Sequence, residues 1–345
     1  MKYLEIKGRS DICHIEVGVP VTRLGSYCDP DKTVIITDGT VRGLYGHLFQ
    51  GYEVVEIGTG EGSKMLDTVE GIYERFFSCG LDRTSFVAGV GGGIVCDVAG
   101  FAASTYLRGL PFGFAPTTLL AQVDAGIGGK NGVNYRGYKN LIGTFNQPRF
   151  VLCDYGLLAT LPDRELRNGF AEIIKHAVIA DASLFSFLED RLEGVLALDP
   201  DVIEKVIYDS ISIKAGIVSA DETEKGERRK LNFGHTFGHA LESTAGLKHG
   251  EAISVGMVMA AGLSEVRGML KKDDVERIER MLDNAGLPLG VAMDKDLIME
   301  AMEKDKKRAG EEINFVLLEG IGAARVVPVK IGHLREAMDD LCQHR

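Results

Sequence analysis

Histidines are concentrated in one short stretch of the chain, GHTFGHALESTAGLKHGE, at positions 234–251. His235 and His239 are spaced i and i+4, which places both side chains on one face of a helix. His249 follows a glycine turn and begins another helical pattern. Zinc sites that do chemistry take three protein ligands, drawn from His and Glu, and leave one position open. A single histidine on an apolar face is more often a core residue, but three together favour a metal site with His235, His239 and His249 as ligands.

A further metal-binding candidate lies in the apolar stretch FAEIIKHAVIA, which has the pattern of a helix. Glu172, Lys175 and His176 fall on one face of that helix, at positions i, i+3 and i+4. An exposed ion pair is the simplest interpretation. Because the neighbouring residues are apolar, we expect these charged groups to be buried and to need a partner or a metal. Spacing alone does not decide whether Glu172 replaces one of the histidines.

The densest glycine cluster is GVGGGIVCDVAG, at positions 89–100, which follows a predicted strand and opens a predicted helix. Such a loop can bring backbone N–H groups and a helix N-terminus up to a pyrophosphate. Ile94 stands where the strict dinucleotide-binding fingerprint has its third glycine. On its own, therefore, the cluster is as compatible with a tight turn as with a dinucleotide site.

A second glycine-rich stretch, PTTLLAQVDAGIGGKNGVNYRGYKNLIGTFNQP, carries Asp124, Lys130, Lys139 and Asn140. Lysines next to glycines suit an anionic ligand, because the missing side chains let the ligand reach both backbone and ammonium groups. For Lys139 taken singly a solvated loop is the better interpretation. The cluster as a whole favours an anion site.

The elements that must position these residues change in character along the chain. Short β-branched runs at 33–37, 52–57, 85–93, 112–116 and 150–154 alternate with helical stretches, which predicts a parallel α/β sheet. After about residue 160 the apolar period is near 3.6, followed by a strand pair at 313–318 and 324–329 and a last helix. At 345 residues the chain exceeds one typical core, so two domains are expected, 1–157 and 158–345.

Bulk properties exclude several classes of protein. A net charge of −11 without a block of Lys or Arg argues against a general affinity for nucleic acid. The six cysteines are scattered with no CxxC, which predicts reduced thiols in a cytoplasmic protein. No apolar run is long enough to span a bilayer, so neither secretion nor a membrane partner is expected.

Taken jointly, the motifs resemble those of the 3-dehydroquinate synthases. The resemblance runs over nearly the whole chain and includes GEGSK, GGGIVCDVAGFAASTYLRG, KNLIGTFNQP, LPDRELRNGFAEIIKHA and DETEKGERRKLNFGHTFGHALE. It implies an α/β NAD-binding domain followed by a mainly helical metal-binding domain, with the active site in the cleft between them. It also implies NAD and zinc as cofactors, with cobalt as an alternative metal, and a homodimer in which Arg108 reaches the neighbouring site.

The resemblance assigns roles to individual positions. The implied zinc ligands are Glu172, His235 and His249, which moves His239 to the substrate side. The residues implied to lie against NAD are Asp38, Glu61, Lys64, Gly92, Gly93, Asp97, Thr117, Thr118 and Lys139. The residues implied to line the substrate pocket are Arg108, Asp124, Lys130, Asn140, Lys175, Lys214, Arg228, Asn232, His239 and one of Lys306 or Lys307.

The implied substrate is 3-deoxy-D-arabino-heptulosonate 7-phosphate, which becomes 3-dehydroquinate and phosphate. The reaction class combines transient oxidation by NAD, phosphate elimination, reduction and an intramolecular aldol closure. By the same resemblance Lys130, Asn140, Arg108, His239 and the late lysine grip the phosphate. Arg228, Lys214 and Asn232 hold the carboxylate, a task that suits the bidentate fork of arginine.

Two departures and three alternatives qualify the resemblance. Asn131 stands where the family usually has Thr, and Gly126 where it usually has Ser, so ligand affinity is expected to differ there. One alternative is another sugar phosphate cyclase, such as an aminodehydroquinate synthase. A second is a metal-dependent alcohol or glycerol phosphate dehydrogenase, and the third is a catalytically silent NAD-binding protein. Arg228, Asn232 and His239 keep the dehydroquinate synthase identity, which favours a substrate with both carboxylate and phosphate.

Overall fold

The computed structural model describes residues 1–8, 12–291 and 312–330. Within them the chain forms two compact units. The first comprises Met1–Glu165 together with Ile203–Thr223, and the second comprises Leu166–Val202 and the described residues from Glu224 onward. The proposed domain boundary at residue 157 stays a prediction.

The first unit contains a seven-stranded sheet and a separate hairpin. Its strands are β1 (Lys2–Lys7), β2 (Ile12–Val17), β3 (Thr33–Asp38), β4 (Glu53–Ile57), β5 (Phe86–Gly91), β6 (Phe112–Pro116), β7 (Lys130–Tyr135), β8 (Tyr138–Phe145) and β9 (Phe150–Cys153). The sheet has the order β1-β2-β9-β6-β5-β3-β4. All of its neighbouring pairs are parallel except β1 with β2, so the predicted α/β class with a parallel sheet is confirmed.

The central strands are apolar on both faces, as parallel strands covered on each side must be. β3, β5, β6 and β9 are almost entirely buried. Ile36 pairs with Gly89, and Gly91 pairs with Pro116. The carboxyl ends of β3, β5 and β6 therefore meet at one edge of the sheet.

Helices lie between several of these strands and in the described part of the chain after β9. In chain order they are α1 (Gly39–Tyr45), α2 (Leu66–Ser78), α3 (Gly93–Thr105), α4 (Asp163–Ala180), α5 (Ala182–Leu196), α6 (Pro200–Ala220), α7 (His235–Ala245), α8 (His249–Val266) and α9 (Lys272–Asn284). The predicted change to helical structure after residue 160 is confirmed. None of the helices over the described residues combines the length and apolar character needed to cross a bilayer.

The β7–β8 hairpin is a structure that alternation rules do not predict from its glycine-rich sequence. Its turn is formed by Arg136 and Gly137, with φ of 49° and 82°. Two successive residues with positive φ match the twist of the flanking strands, which is why such turns close two-residue hairpins. Tyr135 and Tyr138 pair directly across this turn.

The second unit places a strand pair against its helices. β10 (Glu312–Gly320) and β11 (Ala323–Lys330) form the predicted hairpin. Gly322, in its turn at φ +85°, donates its N–H to the Val178 carbonyl at 2.8 Å. A Cβ at 322 would lie 2.6 Å from the Ala182 nitrogen, so only glycine fits this contact. The predicted last helix lies outside the described residues.

The core of the second unit surrounds α7 and α8. Phe237, Leu241, Val255 and Leu263 pack with Phe315 of β10. Gly256 brings the two helices together, because a Cβ at this position would lie 2.0 Å from the Gly234 carbonyl oxygen. The histidines of α7 and α8 are thus carried by closely packed helices.

Candidate active site

The glycine-rich turn lies between β5 and α3, as the sequence predicts. A Cβ on Gly91 would lie 2.5 Å from Val95, and one on Gly93 would lie 2.9 Å from Ala125. Gly92 is the N-cap residue of α3 and supplies no side-chain hydrogen bond to its first turn. The glycines therefore serve close packing and also leave the helix N-terminus accessible to an anion.

Asp38, Thr117 and Thr118 lie near this turn. Asp38 ends β3 and caps α1 by accepting hydrogen bonds from the N–H groups of residues 40 and 41 at 2.8 and 3.0 Å. Thr117 follows β6 and donates its N–H to the Gly91 carbonyl at 2.9 Å. Thr118 lies beside Gly92, where a Cβ would stand 3.2 Å from its Cγ2. The structure thus brings these predicted residues to the sheet edge that holds the glycine turn.

Lys64 and Asp97 form an ion pair in the first unit. Burial raises the pKa of the Asp97 carboxyl, and the positive charge of Lys64 opposes that shift without cancelling it. Asp97 lies in the second turn of α3, and Lys64 follows the short helical turn that contains Glu61. Asp97 follows the glycine turn along α3, and Glu61 and Lys64 are close to each other in the chain.

Asn134 connects the Glu61–Lys64 segment to the β7–β8 hairpin, and sequence reasoning missed it. Its side-chain nitrogen donates to Glu61 at 2.7 Å, and its backbone N–H donates to the Lys64 carbonyl at 2.8 Å. Its side-chain oxygen accepts from the N–H of Asn140 at 2.9 Å. No spacing or composition signal marks this residue, because its role depends on the hairpin.

Asp124 and Lys214 also pair within the first unit. The Lys214 ammonium donates to the Asp124 carbonyl at 2.7 Å and forms an ion pair with its carboxylate. Asp124 lies in a π-helical turn, Ala121–Ala125, and Lys214 lies on α6. Lys214 therefore links α6 to the turn that carries Asp124.

The remaining first-unit candidates lie on the hairpin and after α3. Lys130 begins β7, and Lys139 and Asn140 lie on β8, where all three are exposed. Arg108 follows α3 with φ 72°, an uncommon conformation for a residue with a side chain. The structure describes neither Lys306 nor Lys307, so that prediction lies outside the described residues.

Both departures from the family pattern are packed tightly. The Asn131 side chain donates to the Gly129 and Asn146 carbonyls at 3.0 and 2.9 Å. A Cβ on Gly100 would lie 1.9 Å from its amide oxygen, so glycine in α3 makes room for this residue. A Cβ on Gly126 would lie 2.8 Å from the Ala121 carbonyl. Asn131 therefore fixes the hairpin, and Gly126 permits the close π turn.

The second unit contains a group suited to a metal. Glu172 of α4, His235 of α7 and His249 of α8 bring one ligand atom each to within 4.8 Å of one another. Glu172 Oε1 lies 3.2 Å from His249 Nε2 and 3.7 Å from His235 Nε2. The chemistry of two imidazoles and one carboxylate matches that of catalytic zinc sites. His239 lies beside His235, with ring centroids 5.3 Å apart, and is not a member of this group.

The ring nitrogens that face away from Glu172 have acceptors. His235 Nδ1 is 3.2 Å from the Phe233 carbonyl, and His249 Nδ1 is 3.3 Å from Glu242 Oε1. In each ring a proton on Nδ1 leaves Nε2 able to ligate a metal. Glu242 was not predicted, although it follows His235 and His239 at helical spacing i, i+4, i+7.

Charges around the group set its protonation. Burial alone would raise the pKa of Glu172, but the charge of Lys175 and the contact with His249 bring its pKa well below the usual range. Burial and the same lysine lower the pKa of His235. Burial opposes protonation of His249, yet hydrogen bonds to Glu172 and Glu242 raise its pKa to about 9. The ionised Glu172 and the neutral His235 are thus in the forms that bind a metal, whereas His249 would release a proton when a metal binds.

Lys175 is the buried partner of Glu172. Both side chains are essentially inaccessible, at 1% and 0% exposure, and their charges pair one helical turn apart on α4. Arg228 is also buried, on the short helix Glu227–Asn232. Asn232 donates its side-chain N–H to Glu224 at 2.5 Å. The second unit therefore holds cationic and amide donors as well as the metal-binding group.

Comparison with known proteins gives a single result over most of the chain. The family model for the 3-dehydroquinate synthase N-terminal region matches residues 54–168, and the one for the C-terminal region matches residues 169–308. A 3-dehydroquinate synthase of Geobacter metallireducens is 45% identical over 289 residues, which cover 83% of this chain and 80% of that protein.

Two solved structures share the fold over almost the full length. A 2-epi-5-epi-valiolone synthase of Streptomyces hygroscopicus, solved with NAD+ and Zn2+ bound, is 30% identical with a TM-score of 0.88 over 100% of both chains. A 2-deoxy-scyllo-inosose synthase, complexed with carbaglucose-6-phosphate, NAD+ and Co2+, is 29% identical with a TM-score of 0.88 over 98% of this chain and 100% of that one. On the combined evidence of motifs, fold and relatives, the chain belongs to the 3-dehydroquinate synthase family.

Proposed function

We propose that this enzyme is an NAD- and zinc-dependent 3-dehydroquinate synthase that converts 3-deoxy-D-arabino-heptulosonate 7-phosphate into 3-dehydroquinate and phosphate. The observation that carries the proposal is the group formed by Glu172, His235 and His249. Their donor set fits zinc, with cobalt as an alternative, and family membership supports the reaction type. The product would feed the shikimate pathway toward aromatic amino acids.

The two cofactors divide the chemistry. When bound, zinc supplies a Lewis acid for substrate hydroxyls, and NAD supplies transient acceptance and return of a hydride. Glu172, His235 and His249 hold the metal, and Lys175 bonds a substrate hydroxyl close to it. The paired Lys175 charge also keeps the Glu172 carboxylate ionised in its buried position.

The first unit provides the proposed cofactor site. The N–H groups of the turn at Gly92 and Gly93 bind the pyrophosphate of NAD. Other groups at the same sheet edge orient the rest of the cofactor. They are Asp38, Glu61, Lys64, Asp97, Thr117, Thr118 and Lys139.

Basic residues supply the proposed substrate contacts. Arg108, Lys130, Asn140, His239 and one late lysine hold the phosphate, and Lys214, Arg228 and Asn232 hold the carboxylate. Lys214 is paired with Asp124, which places the two groups together. Asp124 in turn binds a hydroxyl. Such an array contributes mainly orientation and electrostatic stabilisation.

Phosphate release with NAD far below the substrate concentration tests the proposal. We expect many phosphates per NAD, loss of this activity when a chelator removes the metal, recovery with zinc, and 3-dehydroquinate as the product. NADH that accumulates in step with turnover would indicate a dehydrogenase instead. A different carbocycle, or turnover only of an amino-substituted substrate, would identify a related cyclase, and absence of all turnover with bound NAD would indicate a silent binding protein.

A further inference from the structure

We propose that Glu242 is a positioning residue that holds the ring of His249 in the orientation required for metal binding. The inference rests on the proposed zinc site and adds to it a residue that does not touch the metal. Its carboxylate oxygen Oε1 lies 3.3 Å from His249 Nδ1, while Nε2 of the same ring lies 3.2 Å from Glu172 Oε1. The imidazole is thus held between two carboxylates, one of the metal-binding group and one behind it.

The chemistry of the contact fixes the tautomer. An ionised carboxylate accepts hydrogen bonds and donates none, so the proton in this contact lies on His249 Nδ1. With Nδ1 committed to Glu242, Nε2 is the ring nitrogen left for a metal, and it lies on the side of the ring that faces Glu172. A carboxylate that bonds the distal nitrogen of a metal-binding histidine also increases the basicity of the ligating nitrogen.

Helix packing makes the contact geometrically stable. Glu242 lies on α7, two turns after His235, and its side chain is 8% exposed. α7 and α8 touch through glycines, because a Cβ on Gly238 would lie 2.7 Å from Ile253. α7 therefore contributes one member of the metal-binding group directly and orients the member on α8 through Glu242.

The two histidines differ in a way that makes the inference testable. His235 Nδ1 faces a backbone carbonyl, that of Phe233, which no side-chain substitution removes. His249 Nδ1 faces a side chain. Substituting Glu242 thus changes the support of one ligand while the ligand atoms themselves stay in place.

The experiment compares metal binding by the full-length protein after metal removal. Zinc affinity is measured by competition with a chromophoric chelator, and the ligand field by the visible absorption of the Co2+ form. The variants are Glu242→Ala and Glu242→Gln. Glu276→Gln on α9 serves as the control, because it makes the same chemical change at an exposed residue whose neighbours are Lys272 and Arg280.

We expect Glu242→Ala to weaken zinc binding by roughly ten- to a hundredfold. Glu242→Gln is expected to lose less, because the amide oxygen still accepts from Nδ1. Both variants should shift the Co2+ spectrum, which a loss of general stability alone would not do. The control should match the wild-type protein in both measurements.

The outcomes separate the inference from the proposed function. Wild-type affinity and an unchanged Co2+ spectrum in Glu242→Gln and Glu242→Ala would overturn the role of Glu242 while leaving the zinc site standing. Failure of the wild-type protein to bind zinc would overturn the zinc site itself. If circular dichroism shows that Glu242→Ala does not fold, the nearly isosteric Glu242→Gln decides the question by the same two measurements.

Discussion

The amide oxygen of Asn168 accepts a hydrogen bond from the backbone N–H of Gly250. At the same point a Cβ on Gly250 would lie 2.2 Å from the Asn168 carbonyl oxygen and 2.7 Å from its Cα. Asn168 precedes Glu172 by one turn on α4, and Gly250 directly follows His249 at the start of α8. This contact therefore sets how closely the helix with the metal-binding carboxylate approaches the helix with the second histidine.

Replacing Gly250 by alanine should disturb both the fold and the metal site. The added methyl group would meet backbone atoms that cannot rotate away, so α8 must shift away from α4. We expect the free energy of unfolding to fall by roughly 1–3 kcal/mol, as overpacking typically costs. Zinc affinity should fall as well, because His249 moves with α8. Urea denaturation of the metal-free protein and chelator competition measure the two effects.

Gly216→Ala is the matched control for that substitution. Gly216 is exposed within α6, and a Cβ there would meet nothing within 4 Å. Alanine should raise the free energy of unfolding by roughly 0.4–1 kcal/mol, through the lower entropy of the unfolded chain. If Gly250→Ala were as stable as the wild-type protein, the proposed close approach of α4 and α8 would be contradicted.

Lys64→Met should produce a loss of stability that grows with pH. Burial already raises the folded-state pKa of Asp97 above its ordinary value of 3.8, and Lys64 limits that shift. Without the lysine the folded pKa rises further while the unfolded value stays the same. The unfolded pKa is the same in both proteins, so the variant's deficit should increase as pH rises above the wild-type folded pKa of Asp97, and level off above the folded pKa in the variant. The Asp97 side chain is still 19% exposed. We therefore expect the free energy of unfolding to be lower by about 2 kcal/mol at the plateau, which is less than the loss when one partner of a fully buried ion pair is removed.

Urea denaturation at pH 5 and pH 8 measures this dependence, with Lys32→Met as an exposed control of the same chemical type. The control should show an equal, small effect at both pH values. A Lys64→Met deficit that is constant or shrinks toward pH 8 would mean that Asp97 is not the group responsible.

Strand and helix patterns predict the parallel sheet well because its central strands are short, apolar and buried on both faces. They miss two hairpins for identifiable reasons. β1, KYLEIK, alternates charges at an exposed sheet edge, and β7–β8 is rich in Gly, Asn and Lys. The second hairpin depends on tertiary contacts, above all the fit of Asn131 against Gly100 of α3.

The candidate metal site, too, is predicted in part by local sequence patterns and in part only by tertiary contacts. Histidine spacing along α7 points to the region of the candidate metal site, but it gives His239 the same weight as His235. Glu172 joins the group through the packing of α4 against α8, of which the contact of Asn168 with Gly250 is a part. A pairing between residues so far apart in the chain has no local sequence signal. The resemblance of whole motifs supplies that pairing, whereas spacing cannot.

Thiol labelling should separate one cysteine from the other described ones. Cys13, Cys28, Cys96 and Cys153 are buried, and Cys79 at the end of α2 is exposed. Burial raises the pKa of Cys13 to about 12 and also raises the pKa of Cys96 and Cys153. Because the thiolate is the reactive form, we expect maleimide at pH 7.5 to modify Cys79 at least about a hundredfold faster than these four. Peptide mass spectrometry assigns each site, and unfolded protein should label at all of them.

Mixed subunits can test whether Arg108 serves a neighbouring site in a homodimer. Arg108→Ala and Lys175→Ala are each expected to be inactive alone. In a mixed dimer, one site would then combine an intact Lys175 with an intact Arg108 from the other subunit, and the second site would lack both. When equal amounts of the two variant subunits associate at random, half of the dimers are mixed. Each mixed dimer has one complete site of two, so about a quarter of wild-type activity should return.

A different recovery of activity is expected if Arg108 acts within its own subunit. If Arg108 acted within its own subunit, each site of the mixed dimer would still lack one residue, and no activity would return on mixing. Reassortment is achieved by coexpression with two affinity tags, and the doubly tagged species is assayed for phosphate release. Tandem purification should double the specific activity relative to the random mixture, to about half of wild type, because one of the two sites in every purified dimer is complete. Inactive mixed dimers that are otherwise intact would assign Arg108 to its own subunit.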